Sequence, residues 1–169
     1  MFHFIAVGLS AGNLLCAILA MALNWLQSDA GGVNMWAYKA PYGNMPAWIS
    51  ATRAFLVLSF ITAVFAFGAS GAAFVKKAPW VAPAACHAAT WVFALIAFSV
   101  YASNTGDVAS LSAVNYGAGF AFEVIVFILG LFGMFAAALA HRDAENECHG
   151  DGNYGAGNAP PSNGAPSKV

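Results

Sequence analysis

Apolar residues run almost unbroken through four stretches of the chain, about 4–26, 55–75, 82–102 and 116–140, and the residues between them are polar or turn-forming. A bilayer core of about 30 Å is crossed by roughly 20 apolar residues in a helix, so each stretch is long enough to be a transmembrane span. Backbone groups in lipid must be satisfied within the segment, which makes helices the expected form. Four spans with short connections predict an all-α membrane protein, an up-down four-helix bundle over residues 1–140. The first span resembles a signal peptide only in Ala20-Met21-Ala22; it lacks a basic leader and its apolar part is too long, so it is expected to remain as a span.

Composition strengthens this reading. The chain is 60% hydrophobic and 8% charged, and a soluble domain of that makeup would expose too much apolar surface. Basic residues set the expected orientation. Lys76 and Lys77 lie between spans two and three, and Arg142 closes span four, which puts that turn and both termini on the cytoplasmic side. Lys39 and Arg53 fall on the other side. Trp25, Trp48, Tyr101 and Tyr116 are expected at the outer interface and Trp80 at the inner one.

The parts outside the spans are small. The first outer segment, about 27–50, carries Trp36, Tyr38, Tyr42 and Trp48 among Gly and Pro. It predicts a short folded loop, ordered by Trp36 and Trp48 on the helix ends, with little or no extended sheet. Asn104-Thr105-Gly106-Asp107 reads as a turn in the second outer segment. Residues 141–149 are charged and able to prolong span four, whereas 150–169 are rich in Gly, Asn, Pro and Ser and predict a disordered cytoplasmic tail.

Glu123 stands out, because a carboxylate inside a span costs a few kcal/mol unless it is paired or protonated. Arg53 enters span two from the same side, so an intramembrane Arg53–Glu123 ion pair is the first expectation, with a proton or cation pathway as the alternative. His3, His87 and His141 are expected near the interface at one end of the bundle, too shallow for a haem. Cys16, Cys86 and Cys148 offer neither a Cys-x-x-Cys nor an outer pair to oxidise. No catalytic residue, metal, cofactor or nucleic acid is expected, and an enzyme is not. Gly8 with Gly12, Gly68 with Ala72, and Gly130 with Gly133 have the spacing of close helix packing, within the bundle or in a homo- or hetero-oligomer.

Four spans, a larger first outer loop, Arg53 opening span two and Tyr116-Gly117-Ala118-Gly119-Phe120 opening span four resemble the claudin and peripheral-myelin-protein superfamily. Within it the chain is most similar to the amastins, surface proteins of trypanosomatid parasites. The amastin loop motif is matched by Trp36 and Lys39 in Asn34-Met35-Trp36-Ala37-Tyr38-Lys39, with Ala37 standing for Gly and Met35 for Leu or Phe. Gly32 and Tyr42 occupy the two cysteine positions, so the loop disulfide of that family is absent, and the loop is short for the β-sheet that claudins build outside the membrane.

The resemblance implies a non-enzymatic surface protein of the plasma membrane, acting in membrane organisation or cell-surface contact, with lipid as its surroundings. An accessory subunit of a larger membrane complex and a proton- or ion-coupled transporter using Glu123 are the alternatives. Ser167-Lys168-Val169 fits the terminal pattern read by PDZ domains, which would tether the tail to a cytoplasmic scaffold.

Overall fold

A computed structural model describes residues 2–28, 31–37, 45–76, 78–109 and 114–154. Four helices dominate it: α1 (Phe2–Ala22), α2 (Ala47–Phe74), α3 (Val81–Ala109) and α4 (Ala118–Tyr154). All four contain segments long and apolar enough to cross a membrane, over Phe2–Ala22, Ala47–Phe74, Val81–Gly106 and Ala118–Asn146. The chain is thus a membrane-embedded, multi-pass protein. In α4 the charged stretch after Ala140 continues the helix, so that 37 residues rise about 55 Å, well beyond a bilayer core.

The helices are sorted by side-chain size as lipid solvation demands. Outward positions carry the large apolar groups, such as Phe4, Leu15, Phe65, Phe132 and Phe135, all more than half exposed. Most inward positions are small or polar, Ala6, Ser10, Asn13, Ala17 and Ala20 on α1 and Thr52, Ser59, Ala63, Ala66, Ser70 and Ala73 on α2, with the larger Ile49 and Leu56 buried toward the sheet end. Between helices there is no hydrophobic gain over contact with lipid, so small residues allow close approach and polar ones bond across the gap. α1 packs on α2 and α4, and α3 packs on α2 and α4, which closes the ring.

One expectation is overturned. A three-stranded antiparallel sheet, in the order β2-β1-β3, sits at one end of the bundle and is built from β1 (Asn24–Ser28), β2 (Gly31–Asn34) and β3 (Val114–Tyr116). β1 pairs Gln27 with Gly32 on one side and with Asn115 on the other. The first span accordingly ends at Ala22 and the fourth begins at Ala118, because the apolar residues Trp25, Leu26, Val114 and Tyr116 serve strands. A two-stranded hairpin alone would be marginal; the third strand, brought from the far end of the chain, makes the platform viable.

Candidate functional site

The sheet is joined to the bundle by residues that the loop and fourth-span motifs contain. The β1 register shifts between Asn24 and Leu26, and this irregularity sits at Trp25, whose side chain is fully buried. Its Nε1 donates to the Ala20 carbonyl at 2.8 Å, and its ring meets Tyr101 and Phe120 edge-on at 4.9 and 5.9 Å. The Gly117 N–H donates to the Trp25 carbonyl at 2.8 Å. A Cβ on Gly117 would collide with the Asn24 carbonyl, and one on Gly119 would lie 2.6 Å from Trp25 Cδ1 and 2.7 Å from the Leu23 carbonyl oxygen. Both glycines therefore exist for close approach of α4 to the chain leaving α1. Tyr116 stacks on Phe120 at 4.3 Å.

Arg53, in the second turn of α2, ties the loop down from the other side. Its Nε and Nη2 donate to the Met35 carbonyl at 3.0 and 2.6 Å, and Nη2 also approaches the Trp36 carbonyl at 3.4 Å. The guanidinium lies 5.7 Å from the Trp36 ring centroid, a cation–π distance. Trp36 in turn donates through Nε1 to the Met21 carbonyl at 2.9 Å, while Asn34 accepts the Trp36 N–H and donates to the Ala22 carbonyl, both at 2.8 Å. Met35 is buried beneath this arrangement with Trp25, Ile49 and Leu56. Ala37 closes the turn through its N–H on the Asn34 carbonyl. Lys39 and Tyr42 lie outside the described residues. Gly32 leaves room for Asn24, whose side chain a Cβ would strike.

The Arg53–Glu123 ion pair is not formed. Arg53 precedes Ser59 by six residues, about 9 Å along α2, and its guanidinium is turned to the loop carbonyls. Glu123 is fully buried and accepts from Ser59 Oγ at 3.0 Å through Oε1, while Oε2 has no hydrogen-bond partner.

Glu123 belongs instead to a set of polar side chains within the bundle. Ser59 is followed one turn on by Thr62, whose Oγ1 receives a bond from Thr90 of α3 at 2.9 Å. Nearer the opposite end, Ser10 Oγ lies 2.8 Å from both Ser70 Oγ and His87 Nε2, and also donates to the Ala6 carbonyl. His87 is thus fully buried between helices, rather than at the interface as its place near the start of span three implied. Gly133 makes the room, since a Cβ there would come within 2.6 Å of the imidazole. Gly130 does the same for Trp91, at 3.1 Å from its backbone nitrogen. Among the described residues, the unpartnered buried atoms are both amide atoms of Asn13, His87 Nδ1, Trp91 Nε1 and Glu123 Oε2. Such atoms in a low-dielectric interior each cost free energy on the order of 1–3 kcal/mol.

The remaining expected residues divide by exposure. Gly12 meets only Leu129 Cδ1, at 3.9 Å, and Gly8 and Gly68 have nothing within 4 Å, so these last two face outward and do not pack helices within the bundle. His3 and His141 are half-buried at the end away from the sheet. Cys16 and Cys86 are free thiols. Ser167 and Val169 lie outside the described residues. Trp25, expected at the outer interface, is instead fully buried, and the Ser10–Ser70–His87 cluster is what sequence reasoning missed; the available signal was Ser10 and Asn13 sharing one face of an otherwise apolar helix.

No family model, curated protein or solved structure matches this chain. The fold defines it as a membrane protein with four helices long and apolar enough to span a bilayer and a small sheet at one end of them.

Proposed function

We propose that this chain is a non-enzymatic surface protein of the amastin and claudin type, an up-down bundle with both termini in the cytoplasm, whose sheet-bearing end makes contact with a neighbouring cell or membrane. The observation that carries the reading is the sheet itself. Claudin-like chains build a sheet outside the membrane, and here one forms from the segment after α1 and the segment before α4, held by Arg53, Trp36, Gly117 and Gly119 of the resembling motifs. Its surface presents Val33, Trp36 and Tyr116, each between 37 and 43% exposed, as apolar groups beyond the spans. Lys76 and Arg142 at the opposite end support the orientation.

Val33, exposed on β2, is the position at which the reading is tested. A Val33→Cys variant on intact cells should react with an impermeant maleimide, and cells displaying the wild type should adhere to one another or to a host cell layer more than cells displaying Val33→Glu. Labelling that requires permeabilised cells, or adhesion indifferent to Val33→Glu, refutes the proposal.

The unpartnered polar atoms favour a second reading, proton transfer through the bundle with Glu123 as the exchanging group. In proteoliposomes, Glu123→Gln would then abolish a pH-driven flux seen with the wild type; absence of any wild-type flux excludes it.

A further inference from the structure

At the end away from the sheet, a cavity of about 260 Å³ opens between the start of α1, the end of α2 with Lys76 and Ala78 to Trp80, and the later part of α4. That volume is just below the roughly 300–1,000 Å³ of sites that enclose whole small molecules, and so suits one compact group. Among the described residues its polar lining comes from Lys76, His3 and His141, and none of the described lining residues is acidic. Lys76 follows the end of α2 in a left-handed conformation, φ 58°, held by its N–H on the Ala73 carbonyl at 3.0 Å. Its exposed ammonium has no carboxylate partner among the described residues. His3 is fixed by two contacts: its ring stacks on Trp80 at 5.0 Å, and Nε2 donates to the Ala140 carbonyl at 3.3 Å. His141 meets Glu145 at 3.4 Å.

The wall of the cavity continues into apolar surface. Phe74 lines it, and Phe4 packs edge-on against Phe74 at 5.1 Å while remaining 73% exposed. Val75 adds a further exposed apolar group. The occupant that satisfies both halves is an amphiphile with an anionic head and hydrocarbon tails, seated where head groups meet acyl chains. Basic pockets between transmembrane helices recognise phosphate-bearing lipid heads in this way. A zwitterionic head group has no net negative charge to offer Lys76 and is the poorer fit.

We propose that this cavity binds the phosphate head group of an anionic membrane phospholipid, with Lys76 as the charge contact, His3 and Trp80 as its rigid wall, and the acyl chains along Phe4 and Phe74. The site is independent of what the sheet end contacts.

The full chain would be placed in nanodiscs of phosphatidylcholine containing about one fifth phosphatidylserine, and the lipids retained on release counted by native mass spectrometry. Phosphatidylserine should be enriched on the wild type, reduced roughly fivefold by Lys76→Gln, as expected for one lysine at a charged surface, and kept by Lys76→Arg. Equal retention of the two lipids by the wild type, or undiminished phosphatidylserine on Lys76→Gln, overturns the assignment. The wild-type comparison stands whether or not a variant folds. Soluble glycerol phosphate should compete poorly. If it displaces the lipid as well as a diacyl competitor does, the cavity belongs to a free phosphate compound and the lipid assignment falls.

Discussion

Arg53 and Glu123 are both ionisable residues on membrane-crossing helices, yet the regions that receive them differ in kind. At the sheet end the guanidinium is met by carbonyls of Met35 and Trp36 and by an indole face, and the tryptophans beside it donate to the Ala20 and Met21 carbonyls. In the bundle interior, Glu123 has one hydroxyl partner, and Asn13, His87 and Trp91 carry atoms with none. A region whose polar groups close on one another is built to hold a shape. One that leaves them open keeps a free-energy cost that a change of partner or protonation can relieve. The difference teaches that the hydrogen bonds of Arg53 and Trp36 have an architectural account, while the interior residues are where activity beyond contact would reside.

The sharpest attempt to break that comparison is at Gly119. Replacing it with Val pushes a side chain into Trp25 and the Leu23 carbonyl, and the loss should reach about 3 kcal/mol, the upper end for overpacking. Thermal unfolding in detergent should show no folded fraction or a strongly lowered midpoint. A variant as stable as the wild type would mean that the sheet is not anchored through α4.

Arg53→Gln should come next, with a loss of about 2–3 kcal/mol for charge-assisted bonds removed at the Met35 carbonyl. Arg53→Lys should recover less than half, because an ammonium cannot serve two carbonyls and an indole face in the same plane. Full rescue by Lys would reduce the contact to simple charge.

Inside the bundle, Gly133→Ala should cost about 1–3 kcal/mol by displacing the His87 imidazole, and Gly133→Ala combined with His87→Ala should recover part of that loss. Additive losses would show that the imidazole does not occupy the space that Gly133 leaves.

The fourth experiment addresses the two ionisable residues together. Arg53→Gln and Glu123→Gln should add within about 0.5 kcal/mol, as for sites without shared partners, and Glu123→Gln alone should leave stability unchanged or raised, because Gln still accepts from Ser59. Coupling above about 1 kcal/mol would restore the ion pair. Gly68→Ala should have the smallest effect, within about 0.5 kcal/mol, since nothing stands within 4 Å. A change of oligomeric state with that variant on size-exclusion chromatography would assign the outward glycines to a helix–helix contact between chains.

Much of this was legible in the chain. Four apolar runs of bilayer length are a one-dimensional signal, and they correspond to four helices of that length. Glycine and aromatic residues at 116–120 were visible as a motif, though its reason, clearance for Trp25 and for the chain leaving α1, needs residues about 90 positions apart. The strands were not legible, because runs of three to five residues have no period of their own and the third strand pairs with a segment about 90 residues away.

The sequence by itself determined the solvent of this protein, the number of its helices and their approximate extent, since transfer into lipid depends on composition and length. Only the tertiary structure decided which polar groups meet. Ser10, Ser70 and His87 come from three helices, Glu123 found Ser59 rather than Arg53, and Arg53 found the carbonyls of a loop. Partner choice among buried polar groups turns on differences of one helical turn in height and about 100° in direction, which hydropathy does not encode.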